Sequence, residues 1–138
     1  MDATEYIKNC LKEIGFPYSS YDANEEFILN LIGGKNLVII NVSIIPKGQL
    51  ITTEAMMGYR VPEEKRQAIL DYLNNPNDGY DVTLYITSEG YLCGKSTCKV
   101  QENMDMEFFK KTVMLPTHCL VHYMPDVLRL ILTPDKKE

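Results

Sequence analysis

Tyr80-Asp-Val-Thr-Leu-Tyr-Ile-Thr-Ser-Glu-Gly-Tyr-Leu-Cys-Gly-Lys-Ser-Thr-Cys-Lys-Val100 carries two conflicting signals. It contains Gly94-Lys-Ser-Thr97, the closing residues of a phosphate-binding loop. Its first half alternates like a strand. Tyr80, Val82, Leu84 and Ile86 fall on one side of an extended chain, and Asp81, Thr83, Tyr85 and Thr87 on the other. A phosphate-binding loop needs a glycine, four residues, then Gly-Lys-Ser/Thr, set between a strand and a helix. Counting back five from Gly94 reaches Glu89, and Gly90 stands one residue too near. Thr97-Cys98-Lys99-Val100 then alternates instead of opening a helix. The stretch reads as a hairpin, Tyr80–Thr87 and Tyr91–Val100, turning at Ser88-Glu89-Gly90. One wet and one dry face imply an antiparallel sheet covered on one side.

Working outward, Val61-Pro-Glu-Glu-Lys-Arg-Gln-Ala-Ile-Leu-Asp-Tyr-Leu73 has a helical pattern. Proline suits a first helical position, and Glu63 and Glu64 suit the positive end of the helix dipole. Ile69, Leu70 and Leu73 face inward, and Asn74-Asn75-Pro76-Asn77 ends the helix. Upstream lie strand-like runs at Tyr18–Tyr21, Phe27–Ile32, Leu37–Ile45 and Leu50–Met57. Turns are expected at Gly33-Gly34 and Pro46-Lys47-Gly48. Val38, Ile40, Val42 and Ile44 share one face. At the start of the chain, Ile7, Cys10, Leu11 and Ile14 mark a helical stripe. Asp2 can cap that helix and Gly15 can stop it. At the other end, about Asp105 to Leu132 is helical, with Met106, Phe109, Val113, Leu120, Met124, Val127 and Ile131 stepping by three or four, the slot between Val113 and Leu120 being the polar Thr117. Pro116 breaks or restarts this helix, because Leu115 is pushed out of the α region. Pro125 removes a bond to Val121. The order helix–strands–helix–hairpin–helix gives an α+β class, an antiparallel sheet with helices packed mainly on one face, as one domain over residues 1–138.

The 138 residues are 45% hydrophobic, enough for one sizeable core, and the formal net charge is −5. That balance opposes a nucleic-acid binder, which carries a basic patch. The acidic start is no secretory signal, and no apolar run reaches membrane-spanning length. A cytoplasmic protein with no membrane partner is expected. The four cysteines, Cys10, Cys93, Cys98 and Cys119, then read as reduced thiols.

Other constellations are weak. Cys93 and Cys98 sit on opposite faces of a regular strand, and no second cysteine or histidine cluster completes a zinc site. His118 and His122 have the i, i+4 spacing of metalloprotease ligands. Cys119 occupies the place of the glutamate general base. Asp22-Ala-Asn24-Glu25-Glu26 lacks the glycine and the final glutamate of a calcium loop, where Phe27 and Gly33 stand. No nucleophile elbow is present. No catalytic residue, metal site or cofactor is therefore assigned. Met56, Met57, Met104, Met106, Met114 and Met124 fill core gaps or line an adaptable surface.

Two phrases carry a family resemblance. Val61-Pro-Glu-Glu-Lys-Arg, with Leu70 and Leu73-Asn74 after it, is similar to the proline-opened helix of the YbjN-like family. His122-Tyr-Met-Pro-Asp-Val-Leu-Arg-Leu-Ile131 resembles that family's last helix, and the hairpin with Glu89-Gly90 at its tip fits between them. Met124 departs from a second aromatic there, and Pro116 is an extra interruption. The resemblance, covering about Thr4 to Leu132, implies a secretion-chaperone-like fold. Some family members are described as regulators, and some fold relatives are dimeric cytoplasmic chaperones. It implies no catalytic residues. The expectation is a non-enzymatic binding or chaperone-like module, a homodimer, capturing a protein or peptide partner at a sheet edge. Met56, Met57, Tyr85 and Tyr91 are the candidate contacts. The alternative is a small-molecule or metal-dependent enzyme using His118 and His122, and a regulator acting on a signalling protein is a third class.

Overall fold

The computed structural model describes residues 2–16, 19–21, 26–33, 38–73, 81–101 and 104–133. The expected break at Pro17, Tyr18, the loop at Asp22–Glu25, Gly34, the helix end at Asn74–Asn77 and Tyr80 lie outside them. Helix α1 (Ala3–Ile14) begins where the Asp2 side chain accepts from the Glu5 N–H at 2.8 Å, and ends at Gly15 with φ 86°. Its buried stripe is Ala3, Tyr6, Ile7, Cys10 and Leu11.

Six strands follow: β1 (Ser19–Tyr21), β2 (Glu26–Gly33), β3 (Val38–Lys47), β4 (Leu50–Arg60), β5 (Thr83–Ile86) and β6 (Tyr91–Lys99). They form one sheet in the order β1-β2-β3-β4-β6-β5, every neighbouring pair antiparallel. The expected turn at Pro46–Gly48 moves by two residues. Pro46 and Lys47 still pair, with Ile51 and Leu50, and the reversal is the tight Gly48-Gln49 turn.

Between β4 and β5, the expected Val61–Leu73 helix divides. Pro62 is extended and precedes a 3-10 turn (Glu63–Lys65), which leads into α2 (Arg66–Leu73). The long C-terminal helix also divides. Asp105 caps α3 (Met106–Phe108), a π-helical turn runs Phe109–Val113, and α4 covers Leu115–Leu132. Pro116 therefore restarts the helix rather than ending it, sitting in the first turn of α4 where an N–H is dispensable. Pro125 lies inside α4, which runs on past it.

Register sorts the side chains. Leu29, Val42 and Ala55 follow one another across β2, β3 and β4, as do Phe27, Ile44 and Thr53. All six are buried, and α1 packs on β3 while α4 packs on β4 and β6. This covered face holds Ile40, Ile51, Met57 and Leu92 against Ile69, Phe109, Leu120, Met124 and Val127. Each large apolar side chain buried there contributes about 1.5–3 kcal/mol. Thr117, expected at a polar slot, is itself buried, and its hydroxyl has no hydrogen-bond partner among the described residues. The α2–α4 contact closes with Tyr72 donating to Asp126 Oδ2 at 2.6 Å and stacking edge-on against Tyr123. No described helix is long and apolar enough to cross a membrane.

Candidate functional site: the uncovered sheet face and the edge of β6

The alternate residues of the same strands form the uncovered face. Met56 pairs with Cys93, and Cys93 with Tyr85, giving one row across β4, β6 and β5. Asn41 of β3 and Asn30 of β2 extend it. Tyr91 lies two residues from Cys93 on the same side of β6. Three of the four expected contacts are thus brought together. The fourth corrects the sequence reading: Met57 is 0% exposed and belongs to the core. One step along a strand reverses the face, so Met56 and Met57 cannot serve the same surface.

Strand β5 also differs from expectation. It is shorter than Tyr80–Thr87, and Tyr85 is half-buried rather than wet. Its hydroxyl donates to Glu54 Oε2 at 2.6 Å, reaching diagonally across β6. Burial, then this bond to the Glu54 carboxylate, raises the phenol's pKa. Cys93 is fully buried although it lies on the uncovered face, and Cys98 falls on the other face, as their spacing requires. Burial and then the Glu54 charge push the Cys93 thiol up to about 11. A thiol held protonated at neutral pH is a poor nucleophile. The row can pack against a ligand and offer Glu54 as an acceptor; it activates nothing.

Among the described residues, β5 pairs with Leu92–Lys95 of β6, and no described strand lies beyond Lys95 on that side. In an antiparallel strand, successive residues turn their backbone groups to opposite neighbours. Val100 N–H donates to Gln49 O, toward β4, whereas Tyr91 O accepts from Thr87 N–H, toward β5. By that alternation Thr97 and Lys99 turn their N–H and C=O outward, where no described strand meets them. The Thr97 hydroxyl holds Thr52 Oγ1 at 3.1 Å on the uncovered face.

At the other end of β6, the Ser88–Gly90 turn folds against the start of α2. Arg60 pairs with Tyr91 across a bulge in β4, and its Nε donates to Glu89 O at 2.8 Å. Arg66 Nη2 donates to Thr87 O at 3.2 Å and lies 3.7 Å from Glu63. Gly90 has φ 98°, and a Cβ there would come within 3.1 Å of Val61 O, so a side chain at this turn would be strained. Sequence reasoning missed Glu54, Cys93, Arg60 and Arg66 as site residues. Glu54 and Tyr85 are 31 positions apart, and only the strand register joins them.

His118 and His122 sit on exposed turns of α4. His118 Nε2 lies 3.0 Å from Lys110 O, and His122 stacks edge-on against Tyr123. Among the described residues no three His, Cys, Asp or Glu side chains are grouped to hold a metal ion.

No family model and no curated protein matches this sequence. Solved structures do. YbjN from E. coli, a protein described as a transcription regulator by proposal, superposes with a TM-score of 0.64 at 15% identity, over 94% of this chain and 95% of that one. An uncharacterized protein from Methanothermobacter thermautotrophicus gives 0.64 at 12% identity, over 93% and 98%. At such identities the likeness concerns architecture: the chain has the YbjN-like fold.

Proposed function

We propose that this chain is a non-enzymatic cytoplasmic binding module, working as a homodimer, that captures an extended segment of a protein partner and so has a chaperone-like or regulatory role. The observation that carries this reading is the outward-facing backbone of Thr97 and Lys99, next to the row Met56–Cys93–Tyr85. An added strand would take its affinity from backbone hydrogen bonds at such an edge. It would take its specificity from alternate side chains laid along the face. Met56 and Tyr91 supply half-buried surface there, and Glu54 with Tyr85 supplies a polar anchor. The raised thiol and phenol suit recognition rather than nucleophilic chemistry.

Thr97→Pro tests it directly. Proline removes the outward N–H and is tolerated at a sheet edge. Co-purification from the native cell, followed by a peptide array of the proteins that come along, identifies bound segments. Thr97→Pro should abolish their capture while the thermal midpoint stays close to wild type, and Thr97→Val should retain capture. Undiminished binding by Thr97→Pro would sink strand addition at this edge.

A further inference from the structure

We propose that the cleft between the Ser88–Gly90 turn and the start of α2 is a binding site for a small oxyanion group, a carboxylate or a phosphate, gripped by Arg60 and Arg66. The cleft has a volume of about 360 Å³ and is lined by both arginines together with Glu63, Ser88, Glu89 and Gly90. That size falls within the range of small-ligand sites.

Each guanidinium is tied by one edge to the turn, Arg60 through Glu89 O and Arg66 through Thr87 O. The anchors fix two cations on the walls of one cleft. They leave most of the donors unused. The terminal nitrogens of Arg60 meet no acceptor among the described residues, and Arg66 Nε is buried without one. Arginine carries five donors in a planar fork whose natural complement is a two-oxygen anion. A carboxylate or phosphate seated between the two forks would take charge-assisted bonds from the solvent-exposed donors, while the buried Arg66 Nε lies behind them. The turn cannot collapse into the space, because Gly90 is already pressed against Val61 and bonded to it through Gly90 O and the Val61 N–H at 2.7 Å.

The acidic residues in the lining are compatible with this. Glu63 is 85% exposed and stands 3.7 Å from Arg66, a loose pair that an incoming anion displaces. It acts as an internal competitor for the same guanidinium. Glu89 is fully exposed, and its carboxyl is stabilised chiefly by its own backbone N–H and then by Ser88. The inference does not rest on segment capture at the β6 edge: a chain that binds the anion but no peptide, or the reverse, separates the two.

The test is an amide and Arg Nε–H NMR titration of the full chain with inorganic phosphate and, separately, with acetate, at constant ionic strength in chloride. Saturable shifts confined to residues 88–91 and the Arg66 Nε–H are expected with at least one probe. The tighter probe tells whether the natural group is a phosphate or a carboxylate. Arg60→Gln should weaken binding roughly tenfold, the loss of one charge-assisted contact. Glu63→Gln, at an exposed position that leaves the fold intact, should tighten it several-fold by removing the competitor. Failure of both probes to saturate overturns the proposal, and so does a midpoint that neither substitution moves.

Discussion

Cys93 shows how one residue's surroundings decide what it can do. Its thiol is driven from 9.0 to about 11 by burial and by Glu54, so the folded protein holds the proton more tightly than the unfolded chain does. The stability this contributes is complete below pH 9 and is lost as pH climbs toward 11. Cys10 and Cys98 are also raised by burial, and add to the same alkaline loss. Denaturant midpoints measured across that window should fall with pH, and Cys93→Ala should flatten the slope without removing it. Iodoacetamide at neutral pH should modify Cys93 in the folded protein far more slowly than in urea. Gly58 makes a second residue-scale prediction. A Cβ there would stand 2.9 Å from Ile39 O and 3.2 Å from Ile39 Cβ, and a backbone oxygen in a paired strand has little room to yield. Gly58→Ala should cost about 1–3 kcal/mol by overpacking, read as a lower midpoint in urea.

At the scale of the element, caps and turns carry the local signals. Asp105 Oδ1 accepts from the Phe108 N–H at 2.9 Å, and its backbone oxygen accepts from the Tyr6 hydroxyl at 2.6 Å. Asp105→Ala keeps the second bond and loses the first, and should destabilise by about 1 kcal/mol. Asp105→Ser should restore most of it, as chemical denaturation would show. Such caps were legible in the sequence: Asp2, Gly15 and the stripe Ile7, Cys10, Leu11 mark α1 before any coordinates. So was the hairpin, because Gly94-Lys-Ser-Thr97 has no glycine at the required distance upstream and no helix after it. The π-helical turn at Phe109–Val113 was not legible. Phe109 and Val113 are four apart and would share a face on a regular α-helix too, so the three-or-four spacing reads the same through it. Proline signals were half-legible. Pro116 marked a discontinuity, whereas Pro46 suggested a turn that the two residues after Lys47 make instead. The Arg60–Arg66 cleft was hidden because its walls come from segments joined by tertiary contact, not spacing.

The whole molecule is asymmetric: helices cover one side of the sheet, and Met56 and Met57 report on the two sides from adjacent positions. Met57 is fully buried among core side chains, so Met57→Ala opens a cavity beneath α4's side of the sheet and should cost about 2–5 kcal/mol. Met56 is half-buried on the other side, paired with Cys93. Met56→Lys places a charge where no described helix packs, and a lysine stem can lie along the sheet with its ammonium in water. Its thermal midpoint should therefore stay near wild type while capture of an extended segment falls, because the charge must be desolvated beneath an added strand. Light scattering on the wild type and on the same variant tests the proposed homodimer, and a wild type of twice the chain mass gives the variant's mass its meaning. A wild-type mass with lost capture places the partner on the uncovered side and the subunit contact elsewhere. A change to half the mass places the subunit contact on that side. Unchanged capture together with an unchanged mass would show that the uncovered face takes neither, and the edge at Thr97 and Lys99 would then have to account for binding through its backbone alone.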